Sequence, residues 1–335
     1  MEPSISPRGR AGNTPLSSAG AKAWRRCVAV GLPTLFIAAL GLVVVASPPA
    51  AAGTALYAYA KGGASSPTTC PPTTTASDQC TLAEALSLAT AGSTVTLATS
   101  GTAGHYVGNW AVATKGTSAA TPIAIEPATD VSGPVLDGNQ SSSAGCTTAT
   151  CKGPILAIGS DVFVHLDGIT FQDGRNVAFQ GSAPRNGTGY GGAIENVNGG
   201  TVSVSACTFL NNVASDGGAI DNGDGSSGAG ILGVVGSKFL GNVSPVNANS
   251  IDDGGAIDNA DNGGTGTVTV SASTFTDNAV GYGAAAAVKA KVLSTGESLV
   301  DDGGAIDNAD NGGKGTLKLV GSSFVGNTAT PLPMG

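Results

Sequence analysis

The sequence predicts an all-β chain wound as a single-stranded, right-handed parallel β-helix, on three observations. First, Gly-Gly-Ala-Ile followed by an acid and Asn occurs four times, beginning at Gly191, Gly217, Gly254 and Gly303. Each copy is followed by Phe-x-x-Asn: Phe209/Asn212, Phe239/Asn242, Phe275/Asn278 and Phe324/Asn327. The first Gly and the Phe lie 18, 22, 21 and 21 residues apart, and self-similarity at that period marks a stacked repeat. Second, apolar residues alternate seven and five positions before each Phe: Val202/Val204, Leu232/Val234, Val268/Val270 and Leu317/Leu319, with Val164/Leu166 before Phe171. Period two is the signature of a strand with one buried face. Third, the 52 glycines cluster with Asn and Asp at the ends of these runs, where corners are needed.

The chain opens with an address. Arg8, Arg10, Lys22, Arg25 and Arg26 precede an apolar run from Cys27 to Val45, and Ala46-Ser47-Pro48-Pro49-Ala50-Ala51-Ala52 follows. That order predicts a secretory leader over residues 1–52, cleaved near Ala52, with an uncleaved anchor as the alternative. Cleavage leaves 10 Lys/Arg against 22 Asp/Glu, a soluble acidic protein of secreted or cell-surface location. No basic patch is left to neutralise phosphates, so a nucleic-acid partner is not expected.

Residues 53–110 form the predicted N-terminal cap and first coil. Thr81 and Glu84 make a capping box, and Leu82, Ala85, Leu86 and Ala89 fall on one helical face. A short helix there would cover the apolar end that a stack of coils exposes. Residues 111–330 are the predicted solenoid, with less regular coils around Pro122-Ile123-Ala124-Ile125, Pro134-Val135-Leu136 and Pro154-Ile155-Leu156. Within each coil the Gly-Gly pair makes a tight corner, and Ala and Ile turn inward. Asn of Phe-x-x-Asn makes a bend, tolerating left-handed φ and bonding the Asn of the next coil. Asp252-Asp253 through Gly264 repeats from Asp301-Asp302, 49 residues on, as an internal duplication. Gly281–Val300 reads as an irregular coil or protruding loop, and 331–335 as a tail without an evident cap.

Five cysteines follow the leader. Cys70 and Cys80, and Cys146 and Cys151, are close enough in sequence for local disulfides in an oxidising compartment. Cys207 is left over. It stands two residues before Phe209, where Ser237, Ser273 and Ser322 recur, so it is expected as a small buried residue.

The paired motif Gly-Gly-Ala-Ile and Phe-x-x-Asn, over roughly residues 160–330, resembles the repeats of polymorphic outer-membrane proteins. Those repeats build passenger β-helices, of the pectate-lyase-like solenoid type. The opening segment, with Cys80-Thr81-Leu82-Ala83-Glu84-Ala85, is similar to the Cys-x-Leu-x-Glu-Ala module of secreted bacterial β-helix proteins, with Ala where that module often carries Arg. The resemblance implies a β-helix displayed outside the cell; nothing after Phe324 could form a membrane-embedded barrel.

Three chemistries are open. Polysaccharide lyases and glycoside hydrolases need paired carboxylates or a carboxylate with a base. Asp252, Asp253, Asp301 and Asp302 with Arg175 are the candidates, and Arg175 and Arg185 could lie near Asp167 and Asp173. His105 and His165 are the only histidines, and His165 should face outward. Asp258, Asp261, Asp307 and Asp310, with their neighbouring asparagines, could offer oxygen ligands to calcium, the one cofactor considered. The leading expectation is a noncatalytic protein for adhesion or glycan binding, because the repeats are well kept and catalytic-type residues are few. A carbohydrate-active enzyme on an acidic polysaccharide is the rival. A structural envelope component, self-associating end to end, is the third reading.

Overall fold

The computed structural model describes residues 53–62, 67–73, 75–99, 104–114, 116–139, 152–176, 189–196, 199–223, 228–245, 253–261, 263–281, 303–309 and 312–329. All lie in one compact unit, Val45–Gly335. The leader, Cys146, Cys151, Arg185, Asp252, Asp301, Asp302, Asp310, most of the 281–300 insert and the tail lie outside the described residues.

The chain is a parallel β-helix. One complete coil runs through Thr201–Ser205, Thr208–Leu210, Val213–Ala214 and Ile220–Asn222, then climbs to Ile231–Val235. Equivalent strands of successive coils pair in register, giving sheets of eight, seven, six and five strands among the described residues. Among the described residues the sheet strands pair parallel, except that Lys152–Gly153 runs antiparallel to Arg175–Asn176 in the six-stranded sheet.

Burial follows the sequence pattern. Val202, Val204, Leu232, Val234, Val268 and Val270 are buried, as are Ala219, Ile220, Ala256 and Ile257. Phe171, Phe209, Phe239, Phe275 and Phe324 form one continuous column, their ring centroids 4.5–5.1 Å apart and their planes nearly parallel. That separation is the strand spacing itself, so each coil supplies one ring at the height the backbone dictates. The last coil departs from the expected burial: Phe324 is 42 % exposed and Leu319 is 45 % exposed. Their backbone is in register, but among the described residues no further coil covers them.

Asparagine columns parallel the phenylalanines. The Asn212 side chain donates to Asn242 Oδ1 at 2.9 Å, Asn242 to Asn278 at 2.9 Å and Asn278 to Asn327 at 2.8 Å. The same amide also donates to a Phe carbonyl of the preceding coil, as Asn242 does to Phe209. A second column, Asn196, Asn222, Asn259 and Asn308, repeats the device at 2.7–2.8 Å. The expected amide ladder is therefore present, but the left-handed bend is not on the Phe-x-x-Asn asparagine. It falls one residue earlier, on Asn211, Gly241, Asp277 and Gly326. There a short side chain or none tolerates positive φ, while the asparagine itself points inward to bond.

The first Gly of each Gly-Gly pair has φ of +57 to +61°. A Cβ on Gly217 would collide with the carbonyl oxygen of Ile220, and one on Gly218 with Gly255 of the next coil. The small position before Phe also has a reason. The Ser237 hydroxyl accepts from Cys207 N–H of the previous coil, and Ser273 accepts from Ser237 N–H. Cys207 is buried with its thiol against the Ser205 carbonyl, and burial pushes its pKa up to about 12, so it is an inert structural thiol.

At the N-terminal end, α1 (Leu82–Leu88) carries the predicted capping box: Thr81 Oγ1 accepts from Glu84 N–H, and Glu84 accepts from Thr81 N–H. Leu82, Ala85 and Leu86 face inward over the first coil. The Cys70–Cys80 disulfide forms as expected. Among the described residues no helix is long and apolar enough to cross a membrane.

Candidate functional site: an outer groove and two acid clusters

An open groove of about 550 Å³ lies at the N-terminal end of the eight-stranded sheet. Its wall is built by the disulfide loop. Cys70 and Cys80 carbonyls accept from the Tyr57 and Tyr59 N–H groups at 2.8 Å, so the loop lies along the free edge of Ala55–Tyr59. This pairing satisfies the edge and holds Pro72 and Thr73 beside the two tyrosines. Thr73 N–H donates to the Tyr59 hydroxyl at 2.8 Å, fixing that ring. Tyr59 is buried, whereas Tyr57 is only half-buried and presents its ring to the groove. Ala98 and Thr99 come from the end of the second strand. Ala128 and Asp130 come from the turn closed by Val131 N–H donating to Ala128. Asp130 is exposed. Beneath, the buried Tyr106 hydroxyl lies 2.8 Å from the Ala58 carbonyl and 2.6 Å from that of Ala98. Burial, then the neighbouring Tyr59, raises its pKa, so it stays a neutral peg tying the first two coils together.

The groove thus sets one partly exposed aromatic ring among hydroxyls and one carboxylate, an apolar face beside hydrogen-bonding groups.

A second cluster sits on the outer side of the seven-stranded sheet. His105 Nε2 lies 2.6 Å from Asp137 Oδ2, which also accepts from the Gln172 amide at 2.9 Å. Asn139 N–H donates to the other oxygen. Asp173, on the adjoining turn, has its pKa raised by burial and by Asp137, and lowered by His105. One carboxylate, Asp137, is therefore bonded to the imidazole, and a second, Asp173, lies close enough to feel both charges.

The third cluster is buried. Glu195, Asp221 and Asp258 pair in register across adjacent strands, and Asp307 follows through the Ile257–Ile306 bridge. Asp221 and Asp258 are 0 % exposed, and so is Asp253 at the Gly-Gly corner. Carboxylates at a spacing of about 4.8 Å repel, and burial worsens the cost, so protons or positive groups must offset them. Glu195 illustrates this: burial raises its pKa to about 7, opposed by the Asn176 amide at 3.5 Å.

Among the enzyme candidates, Asp253 is buried at the Gly-Gly corner while Arg175 is half-buried in the six-stranded sheet; the other three acids are not described. Of the calcium candidates, Asp258 and Asp307 are neighbours in one column and Asp261 is buried beyond the following turn. Among the described residues, no three His, Cys, Asp or Glu side chains are grouped to hold a metal. His165 faces outward as expected, its Nδ1 3.3 Å from Ser203 Oγ on the next strand. The groove was not visible in the sequence, since its residues carry no motif and meet only through stacking. The His105–Asp137 pair was equally hidden, because the two residues are 32 apart in sequence.

No protein-family model, curated protein or solved structure matches the chain.

Proposed function

We propose that this is a secreted or cell-surface, noncatalytic β-helix protein that binds glycan through the Tyr57 groove. The observation that carries the reading is the half-buried Tyr57 ring, held in an open groove with Thr73, Thr99 and Asp130 around it. The groove is preorganised, because its floor is a paired strand and its wall is a disulfide-closed loop. Little ordering entropy then opposes a sugar's modest affinity. The resemblance of the Gly-Gly-Ala-Ile and Phe-x-x-Asn repeats to polymorphic outer-membrane protein repeats supports display outside the cell, where glycans are abundant. The test is a glycan array with the processed protein and Tyr57→Ala. Retention of selected glycans is expected, with at least a tenfold loss in the variant, whose far-UV circular dichroism should be unchanged. Equal retention by both proteins would refute the reading.

A second reading, a glycoside hydrolase or polysaccharide lyase, is favoured by one observation: His105 bonded to Asp137, with the Asp173 carboxyl, its pKa raised by burial, near both. Such a pair suits general acid–base work. It predicts release of reducing ends from a polysaccharide, abolished by Asp137→Asn; the noncatalytic reading predicts no release at all.

A further inference from the structure

The groove has a charge character that selects among sugars. Of the residues lining it, Asp130 alone carries a full charge at neutral pH, and none is basic. Lys61, two residues past Tyr59, is exposed but does not line it. Outward along the same face, Tyr57 is in register with Thr96 and Thr96 with Glu126, so the next ionisable group in that column is again an acid. The whole chain carries a net charge of −8. A uronic acid entering this groove would bring its carboxylate towards Asp130, with no cation among the described lining residues to receive it. A hexosamine with a free ammonium would do the reverse.

We infer that the groove selects an amino-sugar oligosaccharide, with the Tyr57 ring under one pyranose and the ammonium of that or the adjacent residue paired to Asp130. This rests on the glycan-binding reading above and specifies its ligand class. Asp130 is exposed, and an exposed ion pair is modest and salt-sensitive. The pairing therefore gives about a fivefold preference over the N-acetylated sugar at low ionic strength. Rejection of acidic sugars follows from the same group, because Asp130 repels a carboxylate and no basic residue among the described lining offsets it.

The experiment is calorimetric titration of the full processed protein at pH 6 and low salt with three tetrasaccharides: glucosamine, N-acetylglucosamine and galacturonic acid. The expected order is glucosamine tightest, about fivefold over N-acetylglucosamine, with galacturonate undetected. Asp130→Asn, and separately a rise to high salt, should close the gap between the first two. Binding of N-acetylglucosamine that Tyr57→Ala abolishes, but with no preference for the amine, would overturn this inference and leave the glycan reading standing. So would tight galacturonate binding lost in Tyr57→Ala. A preference that survives Asp130→Asn overturns the assignment of Asp130. Failure of all three sugars to bind overturns the inference, and a blank glycan array beside it overturns the glycan reading as well.

Discussion

Phe239→Ala tests the column that runs through the core. The Phe239 ring is fully buried and sandwiched between Phe209 at 4.6 Å and Phe275 at 4.5 Å. Removing it leaves those two rings about 9 Å apart, because the flanking strands stay pinned in register by backbone hydrogen bonds. The gap cannot collapse, which places the cost towards the top of the usual range for a buried Phe, about 4–5 kcal/mol. Phe324 is the internal control. It has a ring on one side only, at 4.8 Å, and is 42 % exposed, so Phe324→Ala should cost about 1–2 kcal/mol. Urea unfolding followed by far-UV circular dichroism reads both, with the slope m checked for constancy. A difference of about 3 kcal/mol between the variants is the expected result. Equal losses, or a Phe239→Ala cost below about 1.5 kcal/mol, would show that the hydrogen-bonded ribbons hold the coil and the rings merely fill it.

Two further outcomes follow from the site and its wall. Glu195 has a folded pKa near 7, raised from 4.5 by burial, so the folded state binds the extra proton between those values. Stability should therefore be highest below pH 4.5 with respect to this group and fall by up to about 3 kcal/mol as pH rises to 7, then level off. Glu195→Gln should remove that slope, and a slope unchanged in the variant would refute the assignment. Replacing Cys70 and Cys80 by Ser releases a loop spanning 10 residues, which should cost roughly 2.7 kcal/mol by loop entropy. Because that loop also holds Pro72 and Thr73, thermal melts should be accompanied by weaker sugar binding. Lowered stability with unchanged affinity would show that the loop staples the edge without shaping the groove.

What could be read from the sequence was whatever each coil repeats. Val202, Val204 and Phe209 announce their burial because the same residue types recur at the same offsets in neighbouring coils. Thr81 and Glu84 announce a helix start because a capping box is local. Cys70 and Cys80 pair across a loop too short to leave much choice. The bend was misplaced by one residue because Asn211 and Asn212 are adjacent and chemically alike; only the folded coil assigns one to the left-handed turn and the other to the amide column. Tyr57, Thr73, Thr99 and Asp130 could not be grouped, since each belongs to a different stretch of chain and their meeting depends on the rise from coil to coil. His105 and Asp137 are subject to the same limit. The burial of Asp221 and Asp258 was concealed by their alternation: each sits at an outward position of its strand, which normally means water.

The Gly-Gly corners, amide columns and ring column all use one fixed pattern of contacts to the coil above and the coil below. A segment carrying Gly-Gly-Ala-Ile and Phe-x-x-Asn can therefore be copied or excised in the gene, and the severed partners meet substitutes of identical shape. Lengthening such a molecule requires no simultaneous invention elsewhere, which makes the tandem stretches beginning at Asp252 and Asp301 a natural product of replication slippage retained because it did no harm.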